Sequence, residues 1–394
     1  MIRLINFLII IGITLTSFTT LRIGFIGPSE FILFLAILLI VINNKGKLVI
    51  YNNIYIWFWV IFLLSICIST IVSFVYSGVY KDDVISELIA YLFTVGLILS
   101  YYTHFSKFDK KQINNLLYRF YQFNSFIFIL IYLYTLKSNT FFGFNLFYGE
   151  RLSMFSENPH QLSLYIGVII FLGLMFIRKQ IISKNNLIIF INTVFLIIIG
   201  VSTLSTTFYV SLIISIFISV SYIVIKMIRR ERTRIYVIII YLLILMLILI
   251  NICIFRLDII YNIFANDENG LGRLWLWKEA INYSIDNLFF GYGFGTVIEV
   301  DSTLIDTSEA HNIILDILLK AGILSAIVFI SLMFYTFYKV KINSIYLGLV
   351  FFMFIYSMAG FTLKRVILWF VIIILNILVE KSIKESRVKH DFKR

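Results

Sequence analysis

The sequence predicts an all-α integral membrane protein of about twelve transmembrane helices, with one long extracytoplasmic loop between the ninth and tenth spans. Three observations carry this. Hydrophobic residues make up 61% of the chain and charged ones only 14%, whereas a soluble domain carries about a quarter of its residues as charges. Apolar runs of roughly 17–25 residues, the length that crosses a hydrocarbon core, recur from end to end. Lys and Arg cluster in the short breaks between those runs, as topology determinants do. The net charge of +12 is distributed in that way, so it does not point to nucleic acid.

Spans are expected near residues 4–20, 28–43, 54–77, 85–104, 116–136, 160–177, 187–202, 204–225, 235–256, 310–337, 343–360 and 366–380. The first follows Met1-Ile2-Arg3 without a small-residue cleavage site and reads as a retained helix. Pro28 opens the second, where the missing N–H removes no helical hydrogen bond. The seventh and eighth also fit a re-entrant hairpin. No internal repeat or Pro/Gly-rich linker divides the chain, so residues 1–394 read as a single polytopic membrane domain.

Charge fixes the expected sidedness. With the N-terminus in the cytoplasm, 22 Lys and Arg fall in cytoplasmic segments and 9 on the opposite side, with Arg119 and Lys320 inside spans. Both termini are then cytoplasmic, and the loop 257–309 lies outside with Arg151 and His311. Cys67 and Cys253 sit in apolar runs far from other ligand-type residues, so they read as small packing residues. No cofactor or metal is expected.

The loop holds the densest set of candidate residues. Arg273 begins an expected short helix, Arg273–Asn287, in which Leu274, Trp277, Ile281 and Ile285 recur at helical spacing. Such a helix suits the membrane surface or a cap on the bundle, with Trp275 and Trp277 at headgroup depth. The Arg273 fork fits a phosphate bidentately, and it fits equally a loop carboxylate or the face of Trp277. The run Gly291-Tyr-Gly-Phe-Gly295 suits a tight turn, with a backbone cradle for a diphosphate as the alternative. His311, at the mouth of the tenth span beside Asn312, has the chemistry to take a proton from a sugar hydroxyl, or to act as an interfacial polar group. Asn312, Asp316 and Lys320 form one helical stripe that must face the bundle interior. Arg151 opens the segment Arg151–His160 before the sixth span and offers a second anion contact. Lys364 and Arg365 break the charge bias in a short outer hairpin, where they suit lipid headgroups or an anionic lipid-linked substrate.

Arg273-x3-Trp277-x2-Ala280, then Gly291-x-Gly293, then Ala310-His311-Asn312, then Gly322 together resemble the O-antigen polymerase and O-antigen ligase superfamily of bacterial envelope glycosyltransferases. Arg151 to Gln161 is similar to the Arg-plus-Asn-Pro segment that precedes a middle span in polysaccharide polymerases. The specific motifs cover about a quarter of the chain. The resemblance implies transfer of a glycan from an undecaprenyl diphosphate carrier onto an acceptor hydroxyl at the outer face of the bacterial inner membrane. His311 would be the general base and Arg273 the arginine on the diphosphate. Arg151, Asn312, Trp277, Lys364 and Arg365 would bind substrate, without a nucleotide sugar or metal. Membrane lipids and a chain-length regulator protein are the further partners expected. Of the two activities, polymerase is preferred on the Arg151–Gln161 segment, and a flippase or transporter is the rival from another class. One departure stands out: many relatives carry a Ser-Arg-Gly-like arginine where this chain reads Leu204-Ser205-Thr206-Thr207-Phe208. Either Arg151 or the Lys364/Arg365 pair takes its place, or the chemistry differs in detail.

Overall fold

The computed structural model describes the chain outside residues 25, 49–53, 76–83, 178–183, 229–267, 300–306, 342, 361 and 392–394, and outside the side chains of 75, 184–185, 227–228, 268–274, 299, 307–308 and 386–391. Eight helices lead the chain: α1 (Ile2–Leu15), α2 (Pro28–Asn43), α3 (Ile54–Val75), α4 (Val84–Phe105), α5 (Lys110–Thr135), α6 (Pro159–Ile177), α7 (Lys184–Ser202) and α8 (Thr206–Ile228). They are followed by a loop helix (Glu268–Asp286), a kinked helix (Ile313–Val340), a shorter helix (Ser344–Ser357) and a last helix (Val366–Asp391). Among the described residues, seven helices are long and apolar enough to cross a membrane: α3, α4, α5, α6, α8, the kinked helix and the last helix. Helices α1, α2, α7 and Ser344–Ser357 are apolar but shorter. The chain is a multi-pass membrane protein. The expected ninth span, 235–256, lies outside the described residues.

Helix ends follow local chemistry. Helix α5 starts at Lys110, not 116, because Asp109 and Gln112 form a reciprocal capping box: Gln112 N donates to Asp109 Oδ1 at 2.7 Å and Asp109 N to Gln112 Oε1 at 2.9 Å. Helix α1 stops at Leu15, short of 20, where the hydroxyls of Thr14, Thr16 and Ser17 all donate back to preceding carbonyls. Such hydroxyls compete with the helical ladder. The chain is not wholly helical outside the spans. Three two-residue antiparallel hairpins pair Thr140–Phe141 with Phe144–Asn145, Phe147–Tyr148 with Arg151–Leu152, and Ile298–Glu299 with Thr307–Ser308.

The bundle is arranged around α6 and the last helix. Both are buried over most of their apolar length, whereas α8 is largely exposed. Between lipid and protein an apolar side chain gains little by burial alone, so tight packing holds the bundle. An aromatic cluster does this between α3, α4 and the last helix: Trp59 and Trp369 stand 5.1 Å apart edge-on, as do Phe62 and Tyr91. Tyr91 brings that cluster to the polar site described next. Cys67 is exposed on α3, contrary to a packing role, and Cys253 lies outside the described residues.

Candidate functional site

The site grows from a broken helix. Gly322 has φ 72° and ψ −179°, which interrupts the kinked helix and takes the Leu319 and Lys320 carbonyls out of the regular ladder. The glycine run fills the gap: Tyr292 N donates to Leu319 O and Gly293 N to Lys320 O, both at 2.8 Å. Ile323 N in turn donates to Leu288 O at 2.9 Å. This close backbone approach demands glycine. A Cβ on Gly322 would stand 2.1 Å from Phe289 O, and one on Gly293 2.3 Å from Thr70 Oγ1.

All five amides of the run are engaged within the protein. Gly291 N donates to Asn287 O, Phe294 N to Thr70 Oγ1 at 2.9 Å and Gly295 N to Glu87 Oε2 at 2.7 Å, in addition to the two pairs above. A diphosphate cradle needs amides that point at the ligand. The alternative of such a cradle at Gly291–Gly295 is therefore overturned; the run is a weld between loop and bundle.

Glu87 gathers the elements around that weld. Its Oε1 meets Lys320 Nζ at 2.7 Å and Lys364 Nζ at 2.8 Å, and accepts from the Tyr91 hydroxyl at 3.0 Å. Lys364 also reaches Glu309 at 3.5 Å. Burial works to raise the Glu309 pKa, but Lys320 and Lys364 outweigh it and hold the carboxyl below its ordinary value; His311 adds a smaller push in the same direction. The stripe Asn312, Asp316 and Lys320 is buried, as its membrane position requires. Glu87 is the member missed in the sequence, although a single acid in the first turn of an apolar span was the signal available.

Beside this network lies a cavity of about 870 Å³. Its polar end includes Arg22, Glu157, Gln161, Glu309, Lys364 and Arg365, and its apolar wall includes Phe31 and Phe34 of α2 with Ile89 and Phe93 of α4. Phe31 and Ile89 are 67% and 56% exposed, so the apolar wall continues onto the outside of the bundle. The two cations expected to act as a pair differ sharply. Lys364 is held by two carboxylates, whereas the Arg365 guanidinium makes no ion pair or hydrogen bond among the described residues. Burial and then the nearby charge of Arg22 lower its pKa, with Glu309 and Glu157 opposing. It is an under-neutralised cation at a cavity wall.

A second polar group lies alongside. Arg151 Nε donates to Thr203 O at 3.2 Å and its Nη2 lies 3.3 Å from His160 Nε2. Arginine has no acceptor, so Nε2 accepts and the imidazole carries its proton on Nδ1, which faces Ser205 Oγ at 2.7 Å. Tyr356 closes the group by donating to His160 O at 2.6 Å. Arg151 thus reaches the turn between α7 and α8, immediately before the arginine-free segment 204–208, and does not itself line the cavity. Gln161, from the same stretch as Arg151, does.

The loop helix docks on the kinked helix through Leu276 and Ala280, packed with Ile298, Ala310 and Leu319. Trp277-x2-Ala280 and Ala310-His311 are thereby joined through a shared apolar patch. The docking face is the small-residue one: Ile281 and Ile285 are 45% and 66% exposed, while Ala280 and Ser284 are buried. Small residues let two backbones approach, and the large apolar ones are left for lipid. Trp277 is half-buried, its Nε1 without a partner among the described residues. Arg273 is on this helix, and its side chain is outside the described set. Asn312 caps the kinked helix, its Oδ1 accepting from Ile314 N at 3.0 Å and Leu315 N at 3.3 Å. His311 is half-buried, with φ +50°, a left-handed conformation uncommon outside glycine.

Taken together these features define a multi-pass membrane protein whose late loop is welded into the bundle beside a cavity that is charged at one end and apolar along one wall. Residues 191–330 match the O-antigen ligase family, and this match supports a place for the chain in the O-antigen ligase and polymerase superfamily. Members of that family are glycosyltransferase-like membrane enzymes. The matched stretch includes Arg273, the glycine run, His311 and Gly322, but not Glu87, Arg151, Lys364 or Arg365. No curated protein matches the chain.

Proposed function

We propose that this protein is a membrane glycosyltransferase that polymerises undecaprenyl-diphosphate-linked oligosaccharide repeats into a surface polysaccharide, with the cavity on the outer face of the bacterial cytoplasmic membrane. The observation that carries the reading is the cavity itself. It pairs an under-neutralised guanidinium at Arg365 with an apolar wall continuous with the bundle exterior, which suits a phosphorylated lipid whose tail stays in the bilayer. The charge asymmetry of the chain supports the outward placement and cytoplasmic termini.

In this reading His311 takes the proton from the acceptor hydroxyl as its oxygen bonds to the anomeric carbon. The bond from that carbon to the phosphate oxygen breaks, and the lipid diphosphate leaves with the electron pair, stabilised by Arg273 and Arg365. The proton then passes from His311 to the leaving diphosphate or to water. Arg151, which reaches the α7–α8 turn through Thr203 O, supplies the cation that segment 204–208 lacks. Trp277 and Asn312 shape the loop around the base, and Lys364 acts through the Glu87 network that holds the Arg365 turn. A chain-length regulator would meet the same outer face.

A second reading, ligase, has the family match in its favour, since the matched family is described as O-antigen ligase. Ligation differs in the acceptor and not in the chemistry at His311. The test is the glycan profile of cells carrying His311→Ala or Arg273→Ala, with membrane levels of the protein confirmed. Single-repeat glycan is expected in both, with transfer reduced by about 10²-fold or more. Unattached long polymer would select ligase, and wild-type ladders in both mutants would sink the glycosyl-transfer reading altogether.

A further inference from the structure

Among the charged groups around the site, Asp316 has a connection that neither helix capping nor the ion network requires. It is fully buried in the first turn of the kinked helix, and its Oδ1 accepts from Ala310 N at 3.0 Å. Ala310 lies two residues before the cap, and Asn312 already occupies the capping role toward Ile314 and Leu315. The Asp316 bond therefore reaches past the helix end, across His311, to the residue before it.

His311 is thus clasped from both sides. The residue before it is tied through its amide to Asp316 and packed with Leu276 and Ala280, and the residue after it is fixed as the cap. Between the two anchors His311 adopts φ +50°, which persists in a non-glycine residue only where its surroundings over-determine it. The second Asp316 oxygen, Oδ2, is buried without a partner among the described residues. An unsatisfied buried carboxylate oxygen is unfavourable, and plain packing would be served better by an apolar side chain.

We propose that Asp316 is a positioning residue for His311: its hydrogen bond to the Ala310 amide holds the 310–312 turn so that the imidazole is presented to the reacting hydroxyl. This rests on the reading of His311 as the base, and the test separates the two.

The full-length protein is purified in nanodiscs and assayed for polymer formation from a lipid-linked single repeat. Asp316→Asn keeps an oxygen that accepts from Ala310, whereas Asp316→Leu removes it. Asp316→Leu is expected to lower kcat about 10²-fold with donor KM changed by less than about threefold, as a base displaced by about 1 Å would. Asp316→Asn should stay within about fivefold of wild type on the same grounds. Where Asp316→Leu is not recovered as folded protein, Asp316→Ser, too short to reach the amide, is read on the same scale. The proposal is overturned if Asp316→Leu or Asp316→Ser keeps more than about a fifth of wild-type kcat, or if folded Asp316→Asn falls as far as they do. It is also overturned if the loss appears mainly in KM. A His311→Ala variant with wild-type turnover would instead remove the base assignment, and the inference with it.

Discussion

The weld around Gly322 and the cavity wall at Arg365 are both polar places in a largely apolar bundle, yet they treat their polar groups in opposite ways. At the weld, five consecutive amides, a buried lysine and a buried glutamate all find partners inside the protein. At the cavity wall, a guanidinium is left without an ion pair or hydrogen bond among the described residues, while the adjacent Lys364 is tied down by two carboxylates. Saturation marks scaffold, because a group that has spent its hydrogen bonds has nothing to offer a ligand. An unspent charge marks a place where something else is meant to bind.

The largest expected effect tests the saturated side. Glu87→Leu leaves Lys320 buried without its nearest carboxylate, and removing one partner of a buried pair costs about 3–5 kcal/mol. Thermal unfolding in detergent should show a large loss for this variant. Much of it should return in Glu87→Gln/Lys320→Met, which removes the stranded Lys320 charge and leaves Lys364 its second carboxylate, Glu309. Next comes Arg365→Ala, which removes the unspent cation. Its melting temperature should be close to wild type while transfer falls by about 10²-fold, the scale of losing a charge-stabilising donor. A loss of stability with transfer retained would reverse the comparison.

The smallest effect concerns Glu309, which borders both regions. Its folded pKa is below the ordinary 4.5, so its contribution to stability is present above that value and is lost as pH falls through the folded pKa. Glu309→Gln should therefore narrow the gap in melting temperature between pH 7 and about pH 4, and leave the neutral-pH slope unchanged. An unchanged acid limb would remove Glu309 from the network.

Much of the fold was legible because hydropathy and span length report directly on the bilayer. The stripe of Asn312, Asp316 and Lys320 was legible for the same reason, since charges at that depth have only the interior to face. The docking face of the loop helix was not. Apolar periodicity marks the buried face in water, but beside lipid the large residues Ile281 and Ile285 stay outside and Ala280 and Ser284 go in. Glu87 escaped notice because its partners, Gly295, Lys320 and Lys364, are more than 200 residues away along the chain. Likewise the contrast between Lys364 and Arg365, adjacent and alike in charge, arises only from which carboxylates the fold brings near. The glycine run reads first as a tight turn and only secondarily as a phosphate cradle, and its amides prove to be spent within the protein, two of them on the kink.

The pairing of residues 292–293 with 319–320 also bears on how this loop can vary in length. Two short backbone segments in register across a helix break behave like a zip, and one inserted residue would shift every amide to the wrong carbonyl. The strands Ile298–Glu299 and Thr307–Ser308 form a separate pairing that takes no part in this register. Chains built on this plan should therefore keep a fixed count of residues from 287 to 295, so that the root of the loop is constant in length.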